Sequence, residues 1–133
     1  MIAERNGSKV TLFANDSLLK IGTKNNTLNS YLVGNFSHLA AAKKIKNTPY
    51  FKGNKILIID SIGVFPKHAI PDIIVLTQSP KINLERLIQK LQPKVLVADA
   101  TNYKTLQKIW KKTCIKQKIP FHSTSEKGFY ILN

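Results

Sequence analysis

The sequence contains a single cysteine, Cys114, among its 133 residues. One cysteine can form neither an intrachain disulfide nor a cysteine-based zinc site, so it leaves the redox compartment open. No apolar run approaches the ~20 residues that a transmembrane helix requires, and no secretory signal pattern is present. We therefore expect a soluble domain whose attachment to any membrane depends on another segment.

Motifs of common catalytic sites are also missing. The chain has no G-x-S-x-G nucleophile motif, no P-loop and no G-x-G-x-x-G dinucleotide motif. His38, His68 and His122 do not have the H-x-H, H-x-x-x-H or H-E-x-x-H spacing of zinc ligands. We predict no metal and no cofactor, and the sequence leaves enzymatic activity uncertain.

Acidic residues are few. Seven Asp and Glu stand against 21 Lys and Arg, which gives a formal net charge of +14. A charge of this size favours polyanionic partners, either nucleic acid or an anionic lipid surface. Arg5 and Arg86 are the only arginines, although arginine is the usual residue for bidentate contacts to phosphate and guanine. A coding bias toward lysine therefore stays open as an alternative explanation.

The first part of the chain has one clear strand pattern, at residues 10–14. Residues 15–22 are compatible with a second strand that completes a hairpin. Residues 27–39 are compatible with either a helix or a strand. Residues 40–54 are polar and basic, and we interpret them as a connecting region.

From Lys55 onward the pattern is regular. Residues 56–60, 72–77 and 95–99 are continuous apolar runs, which are typical of strands buried on both faces of a sheet. Residues 119–122 and 128–132 predict short closing strands. We expect the terminal segments to add antiparallel edges to the sheet.

Two amphipathic helices lie between these strands. Asn83 is a predicted N-cap of the first helix, and Pro93 ends it. Asn102 is the predicted N-cap of the second. The first helix has its apolar face at Leu84, Leu87, Ile88 and Leu91, and the second at Tyr103, Leu106, Trp110 and Cys114.

The alternation of strands and helices predicts an α/β fold with a mixed, largely parallel sheet and flanking helices. We expect a single domain over residues 1–133. In it, residues 1–54 supply N-terminal strands and the connecting region, and residues 55–133 form the core.

In such sheets ligands bind beyond the carboxyl ends of the strands. Asp60 and Asp99 could bind Mg²⁺ or Mn²⁺ there, but a carboxylate at this position more commonly caps a neighbouring backbone amide. Ser79 is interpreted as a turn residue and Cys114 as part of the core. The residues predicted at this rim are Asp60, Gln78, Ser79, Asp99, Asn102, Tyr103 and His122.

The outer face of the second helix is basic, and the sequence has no acidic residue between Asp99 and Glu126. Like charges repel along a helix, so such a face favours an anionic partner. Tyr103 and Trp110 are expected to be buried, which does not favour base stacking. The candidate DNA-binding residues are Lys104, Lys108, Lys111, Lys112 and Lys116, together with Lys81.

Residues 55–132 resemble the C-terminal end of the ComEC family, polytopic inner-membrane proteins through which single-stranded DNA enters competent bacteria. Residues 91–95, LQPKV, match the family's K-P-K-V step, and residues 123–132 match its closing T-x-x-x-G-A-I-x-I. The segments PKINLERLI, ADATNYKTLQKIWKKTC and IPFH resemble a divergent branch of the family. The resemblance implies a metallo-β-lactamase-like half-domain.

The departures from the family pattern imply a degenerate active site. The H-x-H-x-D-H motif is absent, residues 77–81 stand in place of P-H-H-G-S, and Lys104 and Thr105 follow Tyr103 where the family has G-H-P. We expect a non-catalytic domain that contacts DNA without sequence specificity or supports the channel. A residual metal-dependent phosphodiesterase and a protein interaction module are the alternatives.

The resemblance also implies partners and a location. The expected partners are DNA, preferentially single-stranded, the transmembrane portion of the same full-length protein, and other competence proteins. The chain would be a soluble domain of an inner-membrane protein, on a side of the membrane that the sequence leaves open.

Overall fold

The computed structural model describes residues 2–14, 26–36, 38–44, 50–51, 53–63, 70–128 and 130–131. The chain divides into two compact units, residues 1–46 and residues 47–133. The single-domain organisation expected from the sequence stays a prediction.

The first unit contains a three-stranded sheet in the order β1-β2-β3. Strands β1 (Ile2–Asn6) and β2 (Lys9–Ala14) are antiparallel and are joined by a turn in which Gly7 has a φ of +63°. Strand β3 (His38–Lys44) is parallel to β2 and follows helix α1 (Asn26–Gly34). Alternate residues of β2 are buried, and Leu32 of α1 packs with them. This core consists of Val10, Leu12, Ala14 and Leu32.

The strand predicted at residues 10–14 is confirmed as β2. Its hairpin partner is the preceding strand β1, and the predicted second strand at residues 15–22 lies outside the described residues. Residues 27–39 contain both a helix and the start of a strand: α1 ends at Gly34, and β3 begins at His38.

The prediction that residues 40–54 only connect other elements was wrong. They include most of β3, strand β4 (Tyr50–Phe51) and the first residue of β5 (Asn54–Ile59). Strand β3 has the sequence HLAAAKK, which is poor in the β-branched and aromatic residues typical of strands. It is a strand because its backbone pairs with β2, and composition does not reveal that pairing.

The second unit contains a five-stranded sheet in the order β4-β5-β6-β7-β8. Strands β6 (Ile73–Leu76), β7 (Val95–Ala98) and β8 (Phe121–Ser123) follow β5 along the chain. Strands β5 to β8 are parallel, and β4 is antiparallel to β5. The predicted α/β class with a mixed, largely parallel sheet is confirmed, and so are the three central strands.

Helices α2 (Leu84–Leu91), α3 (Lys104–Lys116) and α4 (Thr124–Lys127) belong to this unit. Asn83 caps α2 as predicted, since its Oδ1 accepts a hydrogen bond from the backbone N–H of Arg86 at 3.2 Å. Helix α2 ends two residues before Pro93. Its predicted apolar face, Leu84, Leu87, Ile88 and Leu91, is buried.

The core of the second unit lies between the helices and one face of the sheet. Trp110 and Cys114 of α3 pack there as predicted, and Leu106 is partly buried beside them. The other face of the sheet is also buried at Ile56, Ile58, Ile73 and Val97. The strands facing α2 and α3 contribute Leu57, Ile59, Ile74, Leu76, Leu96 and Ala98.

The closing strand predicted at residues 119–122 is confirmed as β8, which pairs with β7 in parallel, as the alternation of strands and helices indicated. The prediction of a second closing strand, at residues 128–132, was wrong. The short helix α4 follows β8 immediately. The described part of the segment 128–132, which is Gly128, Tyr130 and Ile131, contains no strand.

The start of α3 also differs from the prediction. The N-cap position is Tyr103 rather than Asn102, and no side chain caps the helix there. Tyr103 has φ −59° and ψ 137°, and this ψ is not helical. Its side chain therefore does not continue the apolar face of α3, although the helical spacing had predicted that it would. It is 70% exposed, and the prediction that it is buried was wrong.

Candidate nucleic-acid interface

Asn102 lies at the centre of a polar network beyond the carboxyl ends of β6 and β7. Its side chain is buried, with the residue only 4% exposed. Its Nδ2 donates to the carbonyls of Leu76 at 2.7 Å and Asp99 at 3.0 Å. Its Oδ1 accepts from the backbone N–H of Ser79 at 2.9 Å. One amide therefore joins the ends of two neighbouring strands to the loop after β6.

Thr101 makes a second connection between the same loops. Its hydroxyl accepts from the backbone N–H of Gln78 at 2.7 Å and donates to Asp99 Oδ1. The hydroxyl of Thr77 lies 3.1 Å from that of Thr101. Gln78 and Ser79 have φ values of 60° and 52°, which are unusual for residues other than glycine. The contacts from Thr101 and Asn102 hold this conformation.

The network continues into α3. The hydroxyl of Ser79 accepts from the backbone N–H of Tyr103 at 2.8 Å. Gln107 Nε2 donates to the carbonyl of Asn102 at 2.9 Å, and Gln107 Oε1 accepts from Ser123 Oγ at 2.6 Å. The first turn of α3 is thereby held both to the loop after β6 and to β8. We call this set the Asn102 network; it comprises Thr77, Gln78, Ser79, Asp99, Thr101, Asn102, Tyr103, Gln107 and Ser123.

The sequence did not single out Gln107. It is a polar residue one position after Leu106, at the edge of the apolar stripe of α3, and it is buried. The one signal for Gln107 in the sequence is its place on the inner side of an amphipathic helix. A buried amide requires hydrogen-bond partners, so a glutamine at such a position indicates a polar contact.

Five of the predicted rim residues belong to the Asn102 network: Gln78, Ser79, Asp99, Asn102 and Tyr103. Asp60 lies at the end of β5, where its Oδ1 accepts from the backbone N–H of Ile62 at 3.1 Å. The next residue, Ser61, places its hydroxyl 3.5 Å from Gln78 Oε1. The β5 end therefore approaches the network through Ser61.

His122 is not joined to the Asn102 network by the contacts that the structure describes. Its Nε2 lies 2.8 Å from the carbonyl oxygen of Gly128, and its ring is in edge contact with the ring of Tyr130, with centroids 5.3 Å apart. Ser123, the next residue of β8, is the one that reaches Gln107. Successive side chains of a strand point to opposite faces of its sheet, which accounts for the separation.

Both aspartates of the predicted rim accept hydrogen bonds within their own turns. Asp99 Oδ1 accepts from the backbone N–H of Thr101 at 3.0 Å, as Asp60 Oδ1 does from that of Ile62. Across the described residues, no group of three or more His, Cys, Asp or Glu side chains is arranged to hold a metal ion. The absence of a metal and of a cofactor stays a prediction. Burial raises the pKa of the Cys114 thiol to about 11, in keeping with its predicted place in the core.

All five lysines predicted on the outer face of α3 are exposed, and so is Lys81 in the loop after β6. The face is less uniform in charge than the sequence indicated, because other helices supply carboxylates. Lys116 Nζ lies 3.2 Å from Glu85 Oε1 of α2, and Lys111 Nζ lies 3.7 Å from Glu126 Oε2 of α4. These two lysines are partly neutralised.

Lys104, Lys108 and Lys112 differ from those two, since they form no ion pair with any residue that the structure describes. They are spaced four residues apart and lie along one stripe of α3. The rise of an α-helix places successive members about 6 Å apart along the axis. We call these three residues the lysine row.

The parallel sheet with its flanking helices is consistent with a metallo-β-lactamase-like half-domain. It carries a polar network at its carboxyl edge and a row of lysines beside it. A family model, the ComEC C-terminal domain, matches residues 1–133. The chain belongs to this family, and the match includes residues 1–54, beyond the region of resemblance found in the sequence.

The family places the chain in a membrane protein of competence and DNA uptake. Comparisons with curated proteins and with solved structures gave no match. Of the helices that the structure describes, none is long and apolar enough to cross a membrane.

Proposed function

We propose that this chain is a non-catalytic DNA-contacting domain of a DNA-uptake protein, and that it binds the phosphate backbone through the lysine row. The observation that carries the proposal is the exposure of Lys104, Lys108 and Lys112 in one line without carboxylate partners among the described residues. Lys81 is a further candidate contact. The preferred substrate is single-stranded DNA.

Lysine suits this role because its ammonium group is a point charge on a flexible stem. It can follow phosphates that move past it without imposing the planar geometry of an arginine contact. Binding through phosphates is blind to sequence and weakens with salt, since counterions are released from the nucleic acid. A protein that imports DNA of any sequence needs a contact of this kind.

The chemistry of the rim supports a non-catalytic role. Gln78 and Ser79 stand where the family motif has its histidines, and their backbone N–H groups are bound by Thr101 and Asn102. Asp60 and Asp99 accept hydrogen bonds from their own turns. The transmembrane portion of the full-length protein and other competence proteins stay proposed partners.

The test replaces the lysine row by glutamine in a triple variant, K104Q/K108Q/K112Q. Log affinity for single-stranded DNA is measured against log salt, with K9Q/K43Q/K55Q as a control that removes the same charge from exposed lysines of the strands. The slope should flatten by about 2 units in the first variant, because each phosphate contact contributes roughly 0.7. Equal slopes in both variants would leave the row as an ordinary solvated face and overturn the proposal.

The non-catalytic part has a separate test. The purified chain is incubated with labelled single-stranded DNA and Mg²⁺ or Mn²⁺, and we expect no cleavage above a metal-free control. Metal-dependent cleavage that disappears in Asp60→Asn would instead establish the alternative, a residual phosphodiesterase.

A further inference from the structure

Tyr103 is the residue immediately before the lysine row, and its aromatic side chain is directed into solvent. The residue is 70% exposed. Exposed apolar side chains are common on protein surfaces. Tyr103 is distinguished by a backbone that is held by several hydrogen bonds.

The Asn102 network fixes the backbone on both sides of the ring. The N–H of Tyr103 donates to Ser79 Oγ at 2.8 Å, and its carbonyl accepts from the N–H of Gln107 at 3.1 Å. The preceding residue, Asn102, is held through its side chain and through its carbonyl. The side chain of Tyr103 therefore projects from a rigid base, and little backbone entropy is lost when a ligand contacts the ring.

The neighbouring charges identify the kind of ligand. Lys104 follows Tyr103 directly, and Lys108 and Lys112 continue the row along α3, all exposed. An exposed aromatic ring next to a line of cations is the combination that binds single-stranded nucleic acid, since phosphates follow the cations and bases stack on the ring. An apolar protein surface would have to cover these lysines and remove them from water, which is costly.

We propose that Tyr103 is a base-stacking platform, and that it gives the lysine row a preference for single-stranded over duplex DNA. In a duplex the base faces are already stacked on one another, so the ring has no face to contact, whereas an unpaired base offers one. This inference rests on the proposed function, because the lysine row supplies the phosphate contacts that bring a strand to the ring.

The experiment measures the affinity of the 133-residue chain for three labelled ligands of equal length by fluorescence anisotropy. These are a single strand of thymidylate, the same strand with abasic sites, and a duplex. Tyr103→Ala should weaken binding of the intact strand by about tenfold and leave the abasic strand and the duplex unchanged. Tyr103→Phe keeps the ring and should retain wild-type affinity.

The matched control is Tyr50→Ala on β4, because Tyr50 is 66% exposed and is not next to the lysine row. It should bind all three ligands as the wild type does. Thermal unfolding of each variant checks the fold, and an exposed side chain at position 103 should leave the midpoint unchanged.

The two proposals fail in different ways. If Tyr103→Ala weakens all three ligands equally, or none, the platform is overturned while the lysine row stands. If Tyr103→Phe binds as weakly as Tyr103→Ala, the hydroxyl rather than the ring makes the contact, and stacking is likewise overturned. If K104Q/K108Q/K112Q binds every ligand as the wild type does, the proposed function fails instead.

Discussion

One polar residue lies at the centre of the contacts at each end of the parallel sheet, and the two residues differ in charge and in burial. At the amino end, Asp72 precedes β6: its Oδ2 accepts from the backbone N–H of Lys55 at 2.9 Å, and its Oδ1 lies 3.4 Å from Lys94 Nζ. Its carbonyl accepts from the N–H of Lys94 at 2.8 Å. We call Lys55, Asp72 and Lys94 the Asp72 cluster. At the carboxyl end, Asn102 joins β6 and β7.

The Asp72 cluster is charged and in contact with water, whereas the Asn102 side chain, at the centre of the Asn102 network, is neutral and buried. Water can replace a lost hydrogen bond at the amino end, so the contribution there should depend on pH and salt. Water has little access to the Asn102 side chain, and a partner lost there leaves a buried polar group unsatisfied. The comparison predicts large, condition-independent effects at one end and small, condition-dependent effects at the other.

The largest effect is expected for Asn102→Ala. The substitution leaves the N–H of Ser79 without its partner, and it removes one of two hydrogen bonds from the carbonyls of Leu76 and Asp99, which keep backbone donors. We expect the free energy of unfolding to fall by about 2–4 kcal/mol. Urea unfolding measures the loss. Asn83→Ala is the matched control, because it removes an exposed helix cap and should cost about 1 kcal/mol. Equal losses in the two variants would contradict the special role of burial.

A smaller loss is expected for Gln107→Ala, which removes the connection from Asn102 to Ser123. Ser123 Oγ keeps a second partner in Ser125 Oγ at 2.9 Å, so the free energy of unfolding should fall by about 1–2 kcal/mol. Gln89→Ala, an exposed glutamine of α2, should change it by less than ~0.5 kcal/mol. If both variants behave alike, the Asn102 network does not extend to β8.

The effect of Asp72→Asn should depend on pH. The hydrogen bond from the backbone of Lys55 and the charge of Lys94 hold the pKa of Asp72 below its ordinary value of 3.8, against an opposing effect of desolvation. A lowered pKa means that the carboxylate stabilises the fold above the unfolded-state pKa, and that this stability is lost as pH falls through the folded pKa. At neutral pH the variant should therefore be less stable than the wild type, but by less than Asn102→Ala.

On acidification the wild type and Asp72→Asn should converge, while the difference between the wild type and Asn102→Ala should stay constant. Urea titrations at a series of pH values between neutral and strongly acidic give both differences. A gap for Asp72→Asn that persists below the folded pKa would show that the carboxylate charge is not the source of its contribution.

The smallest effect is expected for Lys94→Gln. The lysine side chain is 80% exposed and forms a surface ion pair with Asp72, and such pairs contribute little to stability. Any loss in unfolding midpoint should be detectable only at low ionic strength and should vanish in 1 M salt, where the screening length is about 3 Å. A salt-independent loss would indicate that the stem of Lys94 packs on the fold.

The central strands and α2 could be predicted from the sequence because their signals are local. The runs ILII, IIVL and VLVA are apolar at every position, and Asn83 and Pro93 bound α2. The Asn102 network could not be predicted in the same way. Asn102 and Leu76 are separated by 26 residues, and only the parallel pairing of β6 with β7 brings them together.

Two features of the candidate interface could not be predicted from the sequence because they depend on local backbone geometry and on the positions of other helices. The exposure of Tyr103 follows from the extended ψ of one residue, which a helical pattern cannot specify. The partial neutralisation of Lys111 and Lys116 follows from the positions of α4 and α2 in space. The sequence identified the basic face of α3 as a whole, and the ion pairs in the structure distinguish the lysine row within it.

The order of strands in the second unit has a consequence for how the chain reaches its fold. Each strand from β5 to β8 pairs with the strand that precedes it along the chain, so no later strand must be inserted between two that have already paired. During synthesis the sheet can grow by addition at one open edge, and each βαβ step closes a loop of modest length, which costs little chain entropy. Within this sheet, β8 and the contacts of Ser123 with Gln107 would form last, and the first turn of α3 would become rigid only after β8 has been added.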